Sequence, residues 1–169
     1  MKKFIALFIS LLVSAVAMAQ PESPVKWSVS AVETDATTYE VRLTADIDQG
    51  WHIYDFGPYA EDLYISTTEI TIDGAEKVGE ITASKAPHRA YDDVYEAEIG
   101  TWEGKVVFTQ KVKAAAEPKT ISIDVFYGAC NDQNCIPPKS EQLSVKIGAA
   151  KSAEESATPA EETTAPEET

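Results

Sequence analysis

Cys130 and Cys135 are the only two cysteines of the 169-residue chain, and they share one short run, Tyr127-Gly128-Ala129-Cys130-Asn131-Asp132-Gln133-Asn134-Cys135-Ile136-Pro137-Pro138. Thiol-disulfide exchange needs a thiolate that attacks and a second thiol that resolves the mixed disulfide, and one short loop supplies both. As a staple the pair is poorly placed. In the chain-entropy model a loop this short stabilises by about 2 kcal/mol, against about 4.7 kcal/mol for a loop of about 100 residues. Short exposed loops also tend to strain the bond and make it more easily reduced. We therefore read the pair first as redox-active, with a passive loop clip and a metal site as the alternatives.

The charges around the pair bear on its reactivity. Lys139 is the one nearby cation in sequence, and Asp132 sits inside the loop, where it disfavours a thiolate. The expectation is a thiol without a strongly lowered pKa, slow to react until a partner docks. Cys130, Cys135, His52 and His88 are ligand types for zinc, and a soft cysteine pair suits copper(I). The inter-cysteine spacing is long for zinc knuckles and the histidines lie far apart in the chain, so we assign no metal and no cofactor. His52, beside Trp51, reads first as a packed histidine and second as a base or ligand. His88, between Pro87 and Arg89, reads as a solvated loop residue. No motif supports paired-carboxylate or serine chemistry.

The elements that must hold the pair read as strands. Tyr39, Val41, Leu43, Ala45 and Ile47 alternate with polar residues, and Ile121, Ile123, Val125 and Tyr127 repeat the pattern. Weaker versions occur at 25–32, 63–72, 78–83, 105–112 and 142–147, separated by turn signals such as Asp48-Gln49-Gly50, Asp73-Gly74 and Glu103-Gly104. No run of about 10 residues or more after the leader has a helical period. Seven to nine short strands predict an all-β, immunoglobulin-like antiparallel β-sandwich, with Trp27 and Trp102 in its core or at its edges. The cysteine loop follows the strand at 120–127, and Pro137-Pro138 stiffens its exit. A thioredoxin fold would need helices and a pair with two intervening residues.

Lys2 and Lys3, an apolar run over 4–16 and Ala17-Met18-Ala19 have the parts of a secretory signal, so residues 1–19 are expected to be removed. The apolar run is too short for a membrane span, and the processed chain is expected outside the cytoplasm, where disulfides persist. Residues 149–169 contain no aromatic and no large aliphatic side chain. Such a segment cannot offset its ordering entropy and reads as a disordered acidic Ala/Thr/Pro/Glu tail. Residues 20–148 remain as one domain. Of the net charge of −14, the leader holds +2, the tail −5 and the domain −11. So acidic a domain repels phosphate backbones, which excludes nucleic acid as a partner.

Gly50-Trp51-His52-Ile53-Tyr54, Tyr127-Gly128-Ala129-Cys130 and Cys135-Ile136-Pro137-Pro138 together resemble the N-terminal periplasmic domain of the thiol:disulfide interchange protein DsbD. The resemblance extends over residues 25–148, and its most specific part is the Cys-x-Pro-Pro ending. It implies a carrier, akin to a protein-disulfide reductase, that takes two electrons from a thioredoxin-like domain or a DsbD-type membrane reductase. The electrons would pass to oxidised periplasmic proteins. Cys130 and Cys135 would be the redox pair, with Cys135 making the mixed disulfide. His52 and Tyr54 would flank the sulfurs, and Tyr127 opens the cysteine motif. Asp92-Asp93-Val94-Tyr95 matches a cap loop that shields the cysteines, with Val94 where the family carries an aromatic tip. Family members continue into a membrane conduit and a thioredoxin-like domain, so the expectation here is a stand-alone domain, either served by a separate reductase or a diverged remnant that no longer carries electrons. The rival class is a non-redox binding sandwich whose loop is locked by the disulfide.

Overall fold

The computed structural model describes residues 23–93, 95–114 and 119–148. The expected leader at 1–19, the expected tail at 149–169 and Val94 lie outside the described residues. Within the described residues ten strands follow one another: β1 (Val25–Asp35), β2 (Thr38–Ile47), β3 (His52–Tyr54), β4 (Glu69–Asp73), β5 (Glu76–Ala83), β6 (His88–Asp92), β7 (Ala97–Glu103), β8 (Lys105–Lys113), β9 (Lys119–Cys130) and β10 (Cys135–Ile147). Among the described residues the one helical element is the 3-10 turn Glu61–Leu63.

The strands form two antiparallel sheets, one ordered β1-β2-β8-β5 and the other β10-β9-β3-β7-β6, with β4 also paired to β9. The architecture is an immunoglobulin-like sandwich. Alternation drives it. The inward residues of β2 (Tyr39, Val41, Leu43, Ala45, Ile47) and of β9 (Ile121, Ile123, Val125, Tyr127, Ala129) are all buried. Burying each large side chain contributes about 1.5–3 kcal/mol. Trp27 and Trp102 are both in this core, each against Phe108, with ring centroids 6.0 and 4.9 Å from it.

Three strands depart from the sequence reading. β3, β6 and β7 carry no strong alternation: β3 has three residues, four of the five residues of β6 are exposed, and β7 contains Gly100. Tertiary pairing makes them strands. His88, expected in a loop, is exposed but opens β6 opposite Thr101. The expected strand at 63–72 begins only at Glu69, because Tyr64 turns the chain with a left-handed φ of 47°.

Pro137 and Pro138 also lie differently from the expectation of a loop exit. They sit inside β10, between Ile136 and Lys139, where the register with β9 shifts. β10 is an edge strand, and a bulge on an edge tolerates residues that cannot donate to the ladder.

Candidate functional site

β9 ends at Cys130 and β10 begins at Cys135, and the two are register partners bridged by a disulfide with Cα atoms 4.0 Å apart. The four intervening residues form a tight turn. The Asn131 amide donates to the Asn134 carbonyl at 2.8 Å, while Asn131 Oδ1 accepts from the amides of Gln133 (2.9 Å) and Asn134 (2.7 Å). A side-chain amide that folds back onto the following backbone closes such a turn without help from the rest of the protein. The disulfide therefore joins two residues the hairpin already holds together.

Strand alternation puts Cys130 on the outer face of its sheet, opposite to Tyr127 and Ala129 in the main core. Cys130 is nonetheless only 7% exposed, whereas Cys135 is open to solvent. The difference comes from a second apolar cluster laid over the outer face, in which Tyr54, Ile99 and Cys130 pack with Tyr59, Ile65, Tyr95 and Ala97. The segment before β4 lies flat on β9 at Gly128, where a Cβ would come within 2.9 Å of the Ser66 Cβ. Glycine at this position permits the close approach.

Tyr54 reaches the disulfide: its hydroxyl donates to Cys130 Sγ at 3.2 Å. Its ring meets His52 edge-on at 5.5 Å and Tyr95 edge-on at 6.3 Å. Burial, then Tyr95 and Asp92, push the Tyr54 hydroxyl well above the usual tyrosine range, so it stays protonated and remains a donor. His52 is half-buried, and its desolvation holds the imidazole below the usual histidine range although Glu103, Asp132 and Asp92 pull it up.

Of the residues expected to form a cap, Tyr95 lies in the cluster with Cys130, and its amide donates to Asp92 Oδ1 at 3.0 Å across the β6-β7 turn. Asp93 is exposed in the same turn. Tyr127 does not join the sulfurs. It is fully buried between the sheets, edge-on to Trp27 at 5.3 Å, with its hydroxyl bonded to Glu141 Oε1 at 2.7 Å and to Ser23 Oγ at 3.1 Å.

A polar network that the sequence reading missed supports this cover. Asp55 follows Tyr54 and is 2% exposed. Arg89 on β6 donates to Asp55 Oδ2 at 2.6 Å, and Tyr59 Oη and the Gly57 amide donate to Oδ1 at 2.5 and 2.9 Å. Tyr59 Oη in turn accepts from the Gly100 amide at 2.7 Å. A Cβ on Gly100 would collide with the Asp55 carboxylate. Thr68 Oγ1 donates to the Tyr54 carbonyl at 2.6 Å from the other side. The network thus ties the end of β3, which carries His52 and Tyr54, to the base of the β6-β7 hairpin, whose turn carries Tyr95. Gly57 and Tyr59 are close to Asp55 in sequence, but its cation Arg89 comes from 34 residues away, and no local pattern announces that pairing.

Among the described residues no cluster of three or more His, Cys, Asp or Glu side chains is arranged to hold a metal ion. No helix among them is long and apolar enough to cross a membrane.

Comparison with known proteins bears on this arrangement. The reduced N-terminal domain of DsbD from Neisseria meningitidis aligns at 17% identity and a TM-score of 0.48, over 77% of this chain and 90% of that one. The N-terminal periplasmic domain of ScsB from Proteus mirabilis aligns at 16% identity and 0.52, over 76% of this chain and 49% of that one, and shares its fold. A complex between the DsbD and PilB N-terminal domains of Neisseria meningitidis aligns at 15% identity and 0.49, over 76% of this chain and 87% of that one. No curated protein matches the chain in sequence. The family model for the N-terminal part of thiol:disulfide interchange protein DsbD matches residues 18–147, most of the chain. With its hairpin disulfide and covered Cys130, the chain belongs to the DsbD N-terminal domain family, whose members relay disulfide-reducing power.

Proposed function

We propose that this chain is a periplasmic electron carrier whose Cys130/Cys135 couple takes electrons from a thioredoxin-like domain or membrane reductase and reduces disulfides in periplasmic proteins. The observation that carries this reading is the asymmetry of the two sulfurs. Cys135 is open at the hairpin tip, whereas Cys130 is covered and accepts a hydrogen bond from Tyr54. An incoming thiolate meets Cys135 first and displaces Cys130, and a hydrogen bond to the departing sulfur stabilises the charge that develops on it. In the delivering direction Cys135 attacks the acceptor disulfide and Cys130 resolves the mixed disulfide.

Tyr95, with Asp92 and Asp93 at the turn and Val94 between them, would be the cap that limits access to Cys130. The Asp55-Arg89-Tyr59 network would hold that cap in place. A clip role fits less well, because the disulfide closes a turn that Asn131 already holds. The leader-like residues 1–19 support delivery to the periplasm.

The test is the reduction potential of the couple, measured by equilibrating the protein against glutathione and counting free thiols by mass. The expected value lies above that of thioredoxin, about −270 mV, so that a thioredoxin-like donor can reduce the pair. A value below about −300 mV, in the range of structural disulfides, would refute the carrier reading.

A further inference from the structure

The register of the second sheet aligns four chemically active side chains in one row across adjacent strands. Glu103 on β7 pairs with His52 on β3, His52 pairs with Cys130 on β9, and Cys130 pairs with Cys135 on β10. Directly opposed residues on antiparallel strands share a face, with Cβ atoms roughly 4.5–5.5 Å apart. The row thus reads carboxylate, imidazole, thiol, thiol. The same order of groups, an acid that steadies an imidazole beside a nucleophile, is the general arrangement that activates weak nucleophiles.

We propose that Glu103, His52 and Cys130 form a proton relay, in which His52 takes the thiol proton of Cys130 and Glu103 steadies the imidazolium that results. The proposal deepens the carrier reading and rests on it. In delivery, the Cys135 thiolate has already attacked an oxidised partner and holds it as a mixed disulfide. The Cys130 S–H proton passes to a ring nitrogen of His52, and the Cys130 thiolate attacks Cys135 Sγ. The bond between Cys135 and the partner breaks, and its electron pair leaves on the partner sulfur. The Cys130–Cys135 disulfide forms, the partner disulfide is reduced by two electrons, and the imidazolium returns its proton to the departing thiolate.

The surroundings of His52 suit this task. The charged groups that face it are Glu103 from β7, Asp132 from the hairpin turn and Asp92 from the end of β6. The Lys85 ammonium bonds the Glu103 backbone carbonyl at 2.5 Å rather than its carboxylate. The Tyr54 hydroxyl, on the same strand as His52, is pushed by burial well above the usual tyrosine range and stays neutral, and Tyr95 in the β6-β7 turn meets its ring edge-on. Partial burial keeps the imidazole neutral and able to accept a proton, and three carboxylates favour the charge once it arrives. The sequence around the cysteines offers only Lys139 as a cation, so the slow thiol expected from it applies to reagents from solvent, which the cover over Cys130 excludes. The relay supplies activation from the opposite strand instead.

The test uses the full reduced chain mixed with an aromatic disulfide whose released thiol absorbs visible light. The first release reports attack by the exposed Cys135, and the second reports Cys130 attacking Cys135 Sγ in the mixed disulfide. The rate of the second release is followed as pH is varied, in the wild type and with His52→Phe, His52→Gln or Glu103→Gln. A positioned general base contributes about 10²–10⁴-fold, so at neutral pH the second release is expected to slow by about tenfold or more in both His52 variants and by less in Glu103→Gln. Two His52 replacements of different shape guard against a packing artefact in either. Equal rates of second release in the wild type and both His52 variants would overturn the relay. Exchange of the intact couple with thioredoxin is measured separately, and its absence would overturn the carrier reading while leaving the second release readable.

Discussion

Tyr54→Phe removes one oxygen from the site and leaves the ring that packs between His52 and Tyr95. The lost interaction is the 3.2 Å hydrogen bond to Cys130 Sγ. In the oxidised protein the acceptor is a neutral disulfide sulfur, and the bond contributes about 0.5–1.5 kcal/mol. When Cys130 leaves as a thiolate the same hydroxyl donates to a charged acceptor, where such bonds contribute about 1.5–3 kcal/mol. The difference, about 1–1.5 kcal/mol, corresponds to about one pKa unit on Cys130. A leaving thiol of higher pKa departs more slowly, so reduction of the oxidised chain by dithiothreitol should slow by about three- to tenfold. The assay is the rate of thiol appearance under excess reductant at neutral pH, for wild type and variant. Denaturant unfolding of the oxidised forms should differ by no more than about 1.5 kcal/mol, which separates the kinetic effect from loss of structure. An unchanged reduction rate would refute the assignment of Cys130 as leaving group assisted by Tyr54.

Two further outcomes follow from the buried charges. Arg89→Met should cost about 1–3 kcal/mol in denaturant unfolding, because Asp55 stays buried with its Tyr59 and Gly57 donors but loses its cation. The figure falls short of the 3–5 kcal/mol (roughly) seen for breaking a fully buried pair, since the Arg89 side chain is 45% exposed. In the oxidised protein the folded imidazole of His52 is held below its ordinary value of 6.5, so the unfolded chain binds more protons in the window just below that pH. Its contribution therefore weakens the fold as pH falls through 6.5, and the difference in unfolding midpoint between wild type and His52→Gln should narrow or reverse there, as read by thermal melts at stepped pH.

The long strands were legible because their hydrophobic period survives in one dimension. Residues 39–47 and 121–127 declare a buried face whatever they pair with, and β2 and β9 contain both. The cysteine pair was legible for the same local reason, as two thiols within one turn. β3 and β6 were not, because a three-residue strand and a largely exposed edge strand have almost no apolar period to detect. Tyr127 was grouped with the cysteines by its place in the motif. A strand sends residues separated by an odd number of positions to opposite faces, and its side chain lies in the inter-sheet core.

Composition and pattern alone thus pointed to an all-β sandwich and to two cysteines close enough in sequence to bridge, since both depend on properties of consecutive residues. The inequality of the two sulfurs arose only on folding. Cys130 is covered because Tyr54 on β3 and Tyr95 and Ile99 of the β6-β7 hairpin arrive from two other parts of the chain, while Cys135, five residues on, stays in solvent. The pairing of buried Asp55 with the half-exposed Arg89 and the row from Glu103 to Cys135 likewise depend on strand order and register. Register is decided by how whole faces bury against each other, an interaction spread over both sheets and invisible in any single segment.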